Sequence, residues 1–535
     1  MTSKTSSSNT SNTKSRSNEE EGGKLKKSAS DHTINNERMF GSLEELMTYI
    51  GSSYPYYRST VLPLILTSSF LFLTSRFLSG MNKVKNIRED GIQEFFYSKC
   101  QVMNGEDDSV KVAESADFMP ENVPKWELTI VMNAILMFGT TTVSPRHLAL
   151  LSMVIISVCY FVMAHFPLQQ QMSMYISQIF TEIYRMVAMV TISESVPKFH
   201  RMPALVLMEF AYTSSRLLAT IFVRLPADLP MDMSYCFEIF GFATVFVGFV
   251  TYYTFHDSLY SLLARSKTDE MQSQLTQIFK KAQISMAPDA VIDQIAFENF
   301  ENNENPIEIL IRTLKTFKLL QEVVVCGVIS GICLAVNAFM EAEMVKHSEI
   351  MFFERAVVPT VSYTVSGVLL MILCILLPKH RILPVIIIIP LLYLSTTALL
   401  VIPSFFRVFD TCKQHWMVEE SIFPYHFAIG VLVSALTDMI RFFIKVHLME
   451  VMPVLIRTAI IAVLYFVQYS FDGNVRDLYS TEAIDGQIIL IMISVLSMLI
   501  LLITPRKKNY MNVFFSEYTK DDKKRSIPPA PEFEK

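Results

Sequence analysis

Two stretches of eight residues, Glu194-Ser-Val-Pro-Lys-Phe-His-Arg201 and Glu450-Val-Met-Pro-Val-Leu-Ile-Arg457, share the pattern E-x-x-P-x-x-x-R. We call them the first and second repeat motifs. Proline ends or kinks the helix before it. The glutamate three residues earlier then lies in the last helical turn, where a carboxylate opposes the helix dipole and favours a cationic partner. One such string arises by chance, but two at equivalent places indicate a chain built from two similar halves.

Long apolar segments flank both motifs and occur along most of the chain. Most are about 18–25 residues long, the length needed to cross a hydrocarbon core about 30 Å thick. Charged residues make up only 18% of the chain and crowd outside these segments. The sequence predicts an all-α membrane protein with twelve spans, at 57–80, 128–143, 148–166, 171–192, 203–224, 235–255, 320–340, 356–377, 382–403, 422–446, 458–471 and 486–504. The repeat motifs then follow the fourth and tenth spans, which are equivalent positions in two six-helix halves.

The polar segments set the predicted domain limits. The N-terminal tail is rich in Ser, Thr, Asn and Lys and has no apolar signal segment, so we expect it to be disordered. Within the linker, a face of Met271, Leu275, Ile278 and Phe279 predicts an amphipathic helix at 267–283. The predicted domains are a cytoplasmic tail at 1–40, a first half at 41–256 with an extracellular loop at 81–126, a cytoplasmic linker at 257–318, a second half at 319–505 and a cytoplasmic tail at 506–535.

Lysine and arginine in the short loops give the orientation. They occur on the side that holds both repeat motifs and the basic start of the C-terminal tail at 506–508. The short loop at 167–170, on the opposite side, contains neither residue. We therefore predict a multi-pass protein, of the plasma membrane, with both termini in the cytoplasm.

The arginine that closes each repeat motif can neutralise the glutamate that opens it. We predict two gating ion pairs, Glu194–Arg201 and Glu450–Arg457, which hold the cytoplasmic end closed in one state and break in the other. The alternative is that these residues are loop charges that follow the excess of cations on the cytoplasmic side.

Charged residues inside spans are costly and mark candidate functional sites. In the fourth span Glu182 precedes Arg185 by one turn, and in the tenth span Asp438 precedes Arg441 by one turn. Each arginine either lines a substrate pathway or neutralises the acid of its own helix, and both readings stay open. In the fifth span Glu209 and Arg216 are seven residues apart and share a face. We expect Lys445 to reach the membrane surface along its alkyl chain.

The duplicated motif and the six-plus-six plan resemble the major facilitator superfamily, and within it the organic cation/anion transporter family. The long loop at 81–126, the acidic stretch Gly41–Gly51 and the segment His256–Lys267 after the sixth span occupy places typical of that family. The resemblance implies a secondary transporter of a small organic solute, such as an organic ion, working by alternating access. It also implies a cavity on the first, fourth, seventh and tenth spans, and a substrate position in the eleventh span at Tyr469.

These considerations give a set of candidate pathway residues. They are Glu182, Arg185, Arg216, Asn337, Asp438, Arg441 and Tyr469.

Several segments depart from the family pattern. The second-to-third loop, Gly139–His147, lacks the aspartate of the family's GxxxDRxGRR, and the equivalent loop Pro378–Arg381 is short. There are 16 glycines in 535 residues, about 3% against an average near 7%, and small residues are what let membrane helices approach closely and slide. The second hypothesis is therefore a non-transporting receptor or scaffold that keeps the transporter fold.

Other classes find no support in the sequence. It contains no HExxH, GxSxG or nucleotide-phosphate loop, so we expect no enzymatic activity and no cofactor. None of the seven cysteines shows a spacing typical of a metal site, and Cys100 and Cys412 allow one extracellular disulfide. The net charge of −5 indicates no nucleic-acid partner. The expected partners are the lipid bilayer and a small organic solute.

Overall fold

The computed structural model describes most of the predicted spans and part of the linker. Its described residues are 43–51, 54–89, 131, 135, 139, 143–224, 233–265, 267–282, 311, 315, 317–346, 352–376, 383–410, 415–419, 421–464 and 486–502. Cys100, Cys412 and Tyr469 lie outside them.

Thirteen α-helices have defined bounds within these residues. In chain order they are α1 Leu43–Gly51, α2 Tyr54–Glu89, α3 Pro145–His165, α4 Gln170–Ser195, α5 Lys198–Arg224, α6 Met233–Thr254, α7 Leu259–Ala264, α8 Thr268–Ala282, α9 Phe317–Lys346, α10 Phe352–Leu376, α11 Leu383–Phe405, α12 Phe423–Val451 and α13 Gly486–Leu502. Short 3₁₀ helices occur at Pro167–Gln169 and Val454–Ile456, and residues 457–464 are helical.

Ten of the predicted spans are helical over most of their length in the described residues. They are the first, as α2, the third to sixth, as α3 to α6, the seventh to tenth, as α9 to α12, and the twelfth, as α13. Seven helices of the described part are long and apolar enough to cross a membrane. The helix α4 is not among these seven, yet most of its residues are buried.

Several helices extend beyond the predicted limits of their spans. The first span was predicted to end at residue 80, but α2 continues to Glu89, into the predicted extracellular loop. The tenth was predicted to end at 446, but α12 continues to Val451. Hydropathy marks the hydrocarbon core, whereas a helix continues beyond it as long as its backbone hydrogen bonds are satisfied.

Local sequence explains several helix ends. Ser144 caps α3, its hydroxyl accepting a hydrogen bond from the His147 N–H, and Pro145 stands at the first helical position. The helix α4 ends two residues before Pro197, and α12 ends two residues before Pro453. Each repeat motif therefore begins in the last turn of a helix, as its proline predicts.

Burial separates central from peripheral helices. In the apolar stretches of α9 and α12, 78% and 72% of the residues are buried, against 28% in α6. The outer face of α6 carries Ile239, Phe242, Phe246 and Phe249, each more than 60% exposed. Large apolar side chains exposed at helical spacing are typical of a surface that faces lipid. The two central helices carry Asn337, on α9, and Asp438 and Arg441, on α12, of the predicted site.

The halves have their own packing and share one long contact. In the first half α3 packs against α4 and α6, and α2 against α5; in the second, α12 packs against α9, α10 and α11. The helix α5 of the first half packs against α10 of the second. Along this contact, Gly367 on α10 has so little space that an added Cβ would lie 2.7 Å from Thr213 Oγ1.

Two features lie outside the helical bundle. The strands β1, Arg407–Asp410, and β2, His415–Val418, form an antiparallel hairpin between α11 and α12, which the sequence did not predict. The helices α1, α7 and α8 share a separate apolar cluster. We call it the α1–α8 layer; its buried side chains are Leu43, Leu46, Met47, Ile50, Leu259, Tyr260, Leu262, Leu263, Met271, Leu275, Ile278, Phe279 and Val454.

Candidate functional site

The two repeat motifs meet through a buried ion pair. Glu194 Oε1 lies 3.0 Å from Arg457 Nη1, and the two side chains are 3% and 1% exposed. The glutamate comes from the first motif and the arginine from the second. This contact therefore joins the two halves at the end of the bundle where α4 ends, which we call the Glu194 end.

This pairing corrects the prediction. Arg457 was expected to pair with Glu450 of its own motif, and Glu194 with Arg201. Instead, Glu194 of the first motif and Arg457 of the second form a salt bridge with each other. The physical reason is that each glutamate and the arginine seven residues later lie on either side of a proline bend. Two equivalent bends brought together at one end of the bundle can exchange partners.

The motif arginines have a second, local role that sequence reasoning missed. Arg201 Nη2 donates a hydrogen bond of 3.2 Å to the Val196 carbonyl, and Arg457 Nη2 donates one of 3.2 Å to the Met452 carbonyl. Each acceptor is the residue before the motif proline, where the helix has ended and its last carbonyls need donors. The two motifs therefore have the same local structure as well as the same pattern. Glu450, at the equivalent place on α12, is half-buried.

The linker also contacts Glu194. Ser258 caps α7, and its hydroxyl donates a hydrogen bond to Glu194 Oε2. Next to it, Asp257 Oδ1 accepts a hydrogen bond of 2.9 Å from the backbone N–H of Arg146 at the start of α3. Glu194 thus binds one group from the second half and one from the segment between the halves.

Arg265, at the end of α7, lies near the same carboxylate. Burial lowers the pKa of its guanidinium, while the negative charges of Asp257, Glu194 and Glu270 act in the opposite direction. The ionic contacts at the Glu194 end therefore involve both halves and the linker.

A second network lies near the middle of α4. Arg185 Nη2 lies 2.9 Å and 3.1 Å from the two carboxylate oxygens of Glu209 on α5, and its Nη1 lies 3.4 Å from Glu182 Oε2. Tyr212 donates a hydrogen bond of 2.9 Å to Glu182, and its ring lies 3.3 Å from the Arg185 guanidinium carbon. Arg185 is thus neutralised mainly by the neighbouring helix and only partly within its own.

A similar network lies on α12. Arg441 Nη1 lies 3.0 Å from Asp438 Oδ1, one turn earlier. Asn337 on α9 donates to the same Oδ1 at 3.4 Å and accepts a hydrogen bond from the Thr437 hydroxyl. The Asp438 Oδ2 atom is buried and has no hydrogen-bond partner among the described residues.

The two networks occupy equivalent positions relative to the repeat motifs. The sequence shows this equivalence once the pattern is followed upstream of each motif. Arg185 precedes Glu194 by nine residues, and Arg441 precedes Glu450 by nine. An acid stands three residues before each arginine. The duplicated pattern is therefore longer than the motif, and reads [DE]-x2-R-x8-E-x2-P-x3-R.

Charges from both halves come close at the centre of the bundle. Glu209 lies within electrostatic reach of Arg441 and Lys445, and Asp438 within reach of Arg216. The Arg216 guanidinium lies 4.3 Å from the centre of the Tyr363 ring on α10. Lys445 is 6% exposed, so the prediction that it reaches the surface is wrong. Nearby acids compensate its charge instead.

One group of possible metal ligands lies apart from these networks. Glu322 and Cys326 on α9 and His447 on α12 each place a ligand atom within 4.8 Å of the others. The sequence predicted no metal site, because the cysteine and the histidine are too far apart along the chain for spacing to relate them.

Comparisons with known proteins identify the fold. No family model matches the sequence, and no curated protein matches it. A solved structure of the major facilitator superfamily proton:xylose symporter XylE, bound to 6-bromo-6-deoxy-D-glucose, covers 86% of this chain and 98% of its own, with 14% identity and a TM-score of 0.59. XylE from E. coli in a partially occluded inward-open conformation covers 85% and 99%, with 14% identity and a TM-score of 0.52.

A human protein shows the same likeness. The organic anion transporter MFSD10 covers 83% of this chain and 98% of its own, with 11% identity and a TM-score of 0.50. At these identities the likeness concerns the fold. The chain has the major facilitator fold, an all-α membrane architecture of about twelve transmembrane helices in two six-helix halves.

Proposed function

We propose that the protein is a secondary transporter that moves a small organic anion across the plasma membrane by alternating access, with both termini in the cytoplasm. The observation that carries this proposal is the central charge cluster, to which both halves contribute. In major facilitator folds the substrate site lies at the interface of the halves near the middle of the membrane. We assign that place to Glu209 and Arg216 of the first half and to Asp438, Arg441 and Lys445 of the second.

The balance of charge supports an anionic substrate. Among the described residues, the central cluster holds three carboxylates, Glu182, Glu209 and Asp438, and four cations, Arg185, Arg216, Arg441 and Lys445. One positive charge is therefore in excess. Uncompensated charges away from water are costly, so the excess favours binding of an anion.

Arg216 is the cation to which we assign that binding. Its described contact is the Tyr363 ring, and it forms no salt bridge with a carboxylate within the described part of the chain. A guanidinium binds a carboxylate or phosphate through two parallel hydrogen bonds. The Tyr363 ring can hold the apolar part of the same molecule, and Asp438 Oδ2 can accept a hydrogen bond from it.

The structural neighbours differ in what their names say they carry. One is named a proton:xylose symporter and the other an organic anion transporter. The excess positive charge favours the second class of substrate for this chain.

The Glu194–Arg457 pair supplies the proposed gate. It joins the halves at the Glu194 end, which the distribution of Lys and Arg assigns to the cytoplasm. We propose that Arg201 and Glu450 complete this gate, and that opening towards the cytoplasm separates the partners.

Uptake by purified protein in liposomes tests the proposal, with a panel of labelled organic anions, cations and neutral solutes. We expect saturable uptake of at least one anion. Loss of a charge-assisted hydrogen bond costs about 1.5–3 kcal/mol, so Arg216→Met should weaken apparent affinity roughly 10- to 150-fold. Arg216→Lys keeps the charge and should retain part of the activity.

The control is Lys267→Met, which removes a cation from an exposed pair with Glu270 and should leave uptake unchanged. Well-folded protein that carries no member of the panel would contradict transport and favour the receptor or scaffold hypothesis. If Arg216→Met leaves anion uptake unchanged, the role of Arg216 is refuted, while transport of an anion is not.

A further inference from the structure

Glu322, Cys326 and His447 bring three different ligand types to one place on the second half. His447 Nε2 lies 3.3 Å from Glu322 Oε2, and the Cys326 sulfur completes a group whose ligand atoms all lie within 4.8 Å of one another. Glu322 and Cys326 are four residues apart on α9, so they lie on one face of that helix, and His447 faces them from α12.

We propose that these three residues form a binding site for a divalent ion of borderline softness, with zinc as the best match. Thiolate, imidazole and carboxylate are the three ligand types that zinc takes in proteins. Harder ions such as magnesium and calcium prefer oxygen ligands throughout. Three protein ligands leave the fourth tetrahedral position for water, as in zinc sites that are not purely structural.

The distances fit such an ion. Zinc lies about 2.0–2.3 Å from its ligand atoms, so neighbouring ligands of a tetrahedron are about 3.3–3.7 Å apart. The histidine and glutamate atoms already have this separation. The sulfur can reach it by a small movement of the side chains, because no two ligand atoms of the group are more than 4.8 Å apart.

Burial favours a bound ion while leaving a way in. Cys326 is fully buried, whereas the His447 and Glu322 side chains are 21% and 12% exposed. An ion therefore enters from the histidine and glutamate side and meets the thiol last. On binding, the sulfur–hydrogen bond of Cys326 breaks, the thiolate binds the ion and one proton passes to the solvent.

The simpler reading is a hydrogen-bonded His447–Glu322 pair with an unrelated buried cysteine beside it. The two readings differ in what Cys326 does. A thiolate ligand gives an absorption band of sulfur-to-metal charge transfer when cobalt(II) takes the place of zinc. A cysteine that only packs gives none.

The test is a cobalt(II) titration of the purified full-length protein in detergent, followed by displacement with zinc. We expect the charge-transfer band in the wild type and its loss in Cys326→Ser. The matched control is Cys333→Ser, a second fully buried cysteine two turns further along the same helix, which should keep the band. Calorimetry in buffers of different ionisation enthalpy should show one proton released per ion.

A second pair of variants covers the histidine. Changing a residue that merely supports a metal ligand costs 10- to 100-fold in metal affinity, so loss of a ligand in His447→Gln should weaken binding at least about tenfold. His165→Gln is the control, since His165 also faces a glutamate, Glu238, at 3.6 Å, but no cysteine of the described residues completes a metal-ligand group with that pair. Size-exclusion chromatography shows which variants fold. If Cys326→Ser does not fold, the comparison of His447→Gln with His165→Gln tests the site.

Any of three results would refute the site. They are no charge-transfer band in the wild type, a band that persists in Cys326→Ser, and an equal loss of metal affinity in the two histidine variants. Binding is measured directly, so the result is independent of whether the protein transports an anion.

Discussion

Glu194 has an environment that its position in the sequence does not indicate. Its carboxylate is almost completely buried and shared between Arg457 and Ser258. Removing one partner of a buried pair costs more than the pair contributes, because the remaining charge stays out of water.

We expect Glu194→Gln to lower the free energy of unfolding by about 3–5 kcal/mol, measured by denaturation in detergent. Glu238→Gln removes a carboxylate from an exposed contact with His165 and should cost less than about 1 kcal/mol. The double variant with Arg457→Gln should cost less than the sum of the single changes, because each already removes the contact. Additive costs would show that the two side chains are not coupled.

The second residue-scale prediction concerns Arg185 and Glu209. Glu209→Gln leaves Arg185 with Glu182 at 3.4 Å as its described carboxylate partner and raises the positive excess of the central cluster. If the excess selects anions, this variant should keep or tighten apparent affinity for a transported anion, whereas Arg441→Ala should weaken it. Liposome uptake over a range of anion concentrations measures both. Equal losses in the two variants would refute selection by charge.

Sequence identified the charged residues but not most of their partners. The pair Asp438–Arg441 lies one turn apart on one helix, so spacing predicts it. The pairs Arg185–Glu209 and Glu194–Arg457 join different helices, and periodicity along one helix carries no information about which neighbour faces it. The rings of Tyr212 and Tyr363 were missed for the same reason.

At the scale of elements, the α1–α8 layer joins parts of the chain that are far apart in sequence. It combines a helix before the first span, two linker helices and Val454 from the second repeat motif. Helices this short are marginal on their own, so their stability depends on the shared apolar cluster.

Leu275→Ala should therefore loosen α1 as well as α8. The residue is fully buried, and loss of a leucine side chain from such a site costs about 2–5 kcal/mol. Hydrogen exchange followed by mass spectrometry should show faster exchange in both helices, and Thr276→Ala, at an exposed position, should change neither. Faster exchange in α8 alone would mean that the two helices fold independently.

The contact between α5 and α10 depends on a glycine, Gly367, which has no side chain. At Gly367 a Cβ would lie 2.7 Å from Thr213 Oγ1 and 3.4 Å from the Phe210 Cα. We expect Gly367→Ala to cost about 1–3 kcal/mol by overpacking, seen as a lower melting temperature in detergent. Gly248→Ala on α6 is the control, since a Cβ there meets nothing within 4 Å, and it should be neutral or stabilising.

Sequence predicted elements better than their ends. Apolar length identified the spans, and the proline of each repeat motif marked where α4 and α12 end. The β1–β2 hairpin was not predicted because the residues between its strands contain none of the Asn-Gly or Asp-Gly pairs that mark tight hairpins.

At the scale of the whole molecule, transport by alternating access requires the halves to move relative to each other. Thr220 on α5 and Thr360 on α10 approach to 3.3 Å between hydroxyl oxygens, far along α5 from the Glu194 end. With both changed to cysteine, oxidation should lock this contact and abolish uptake, and a reductant should restore it. Either single cysteine should transport normally. Full uptake by a variant shown to be cross-linked would contradict movement at this contact.

The overall plan was predictable because duplication leaves a trace in sequence. Two copies of one pattern at equivalent places indicate two halves. Their orientation stays a prediction from the excess of lysine and arginine in the short loops. How the copies meet was not predictable, since exchange of partners between the motifs depends on how the halves dock.

That exchange has a consequence for how the protein is made. Synthesis proceeds from the N-terminus, and Arg457 is added 263 residues after Glu194. Until then the carboxylate has its linker contacts but lacks the guanidinium that neutralises it in the finished molecule. The first half therefore enters the membrane with an ionic bond unmade, and only a ribosome that has delivered the tenth span can complete it. A chain that stops before Arg457 keeps Glu194 with its linker contacts only, so this carboxylate distinguishes an unfinished chain from a finished one.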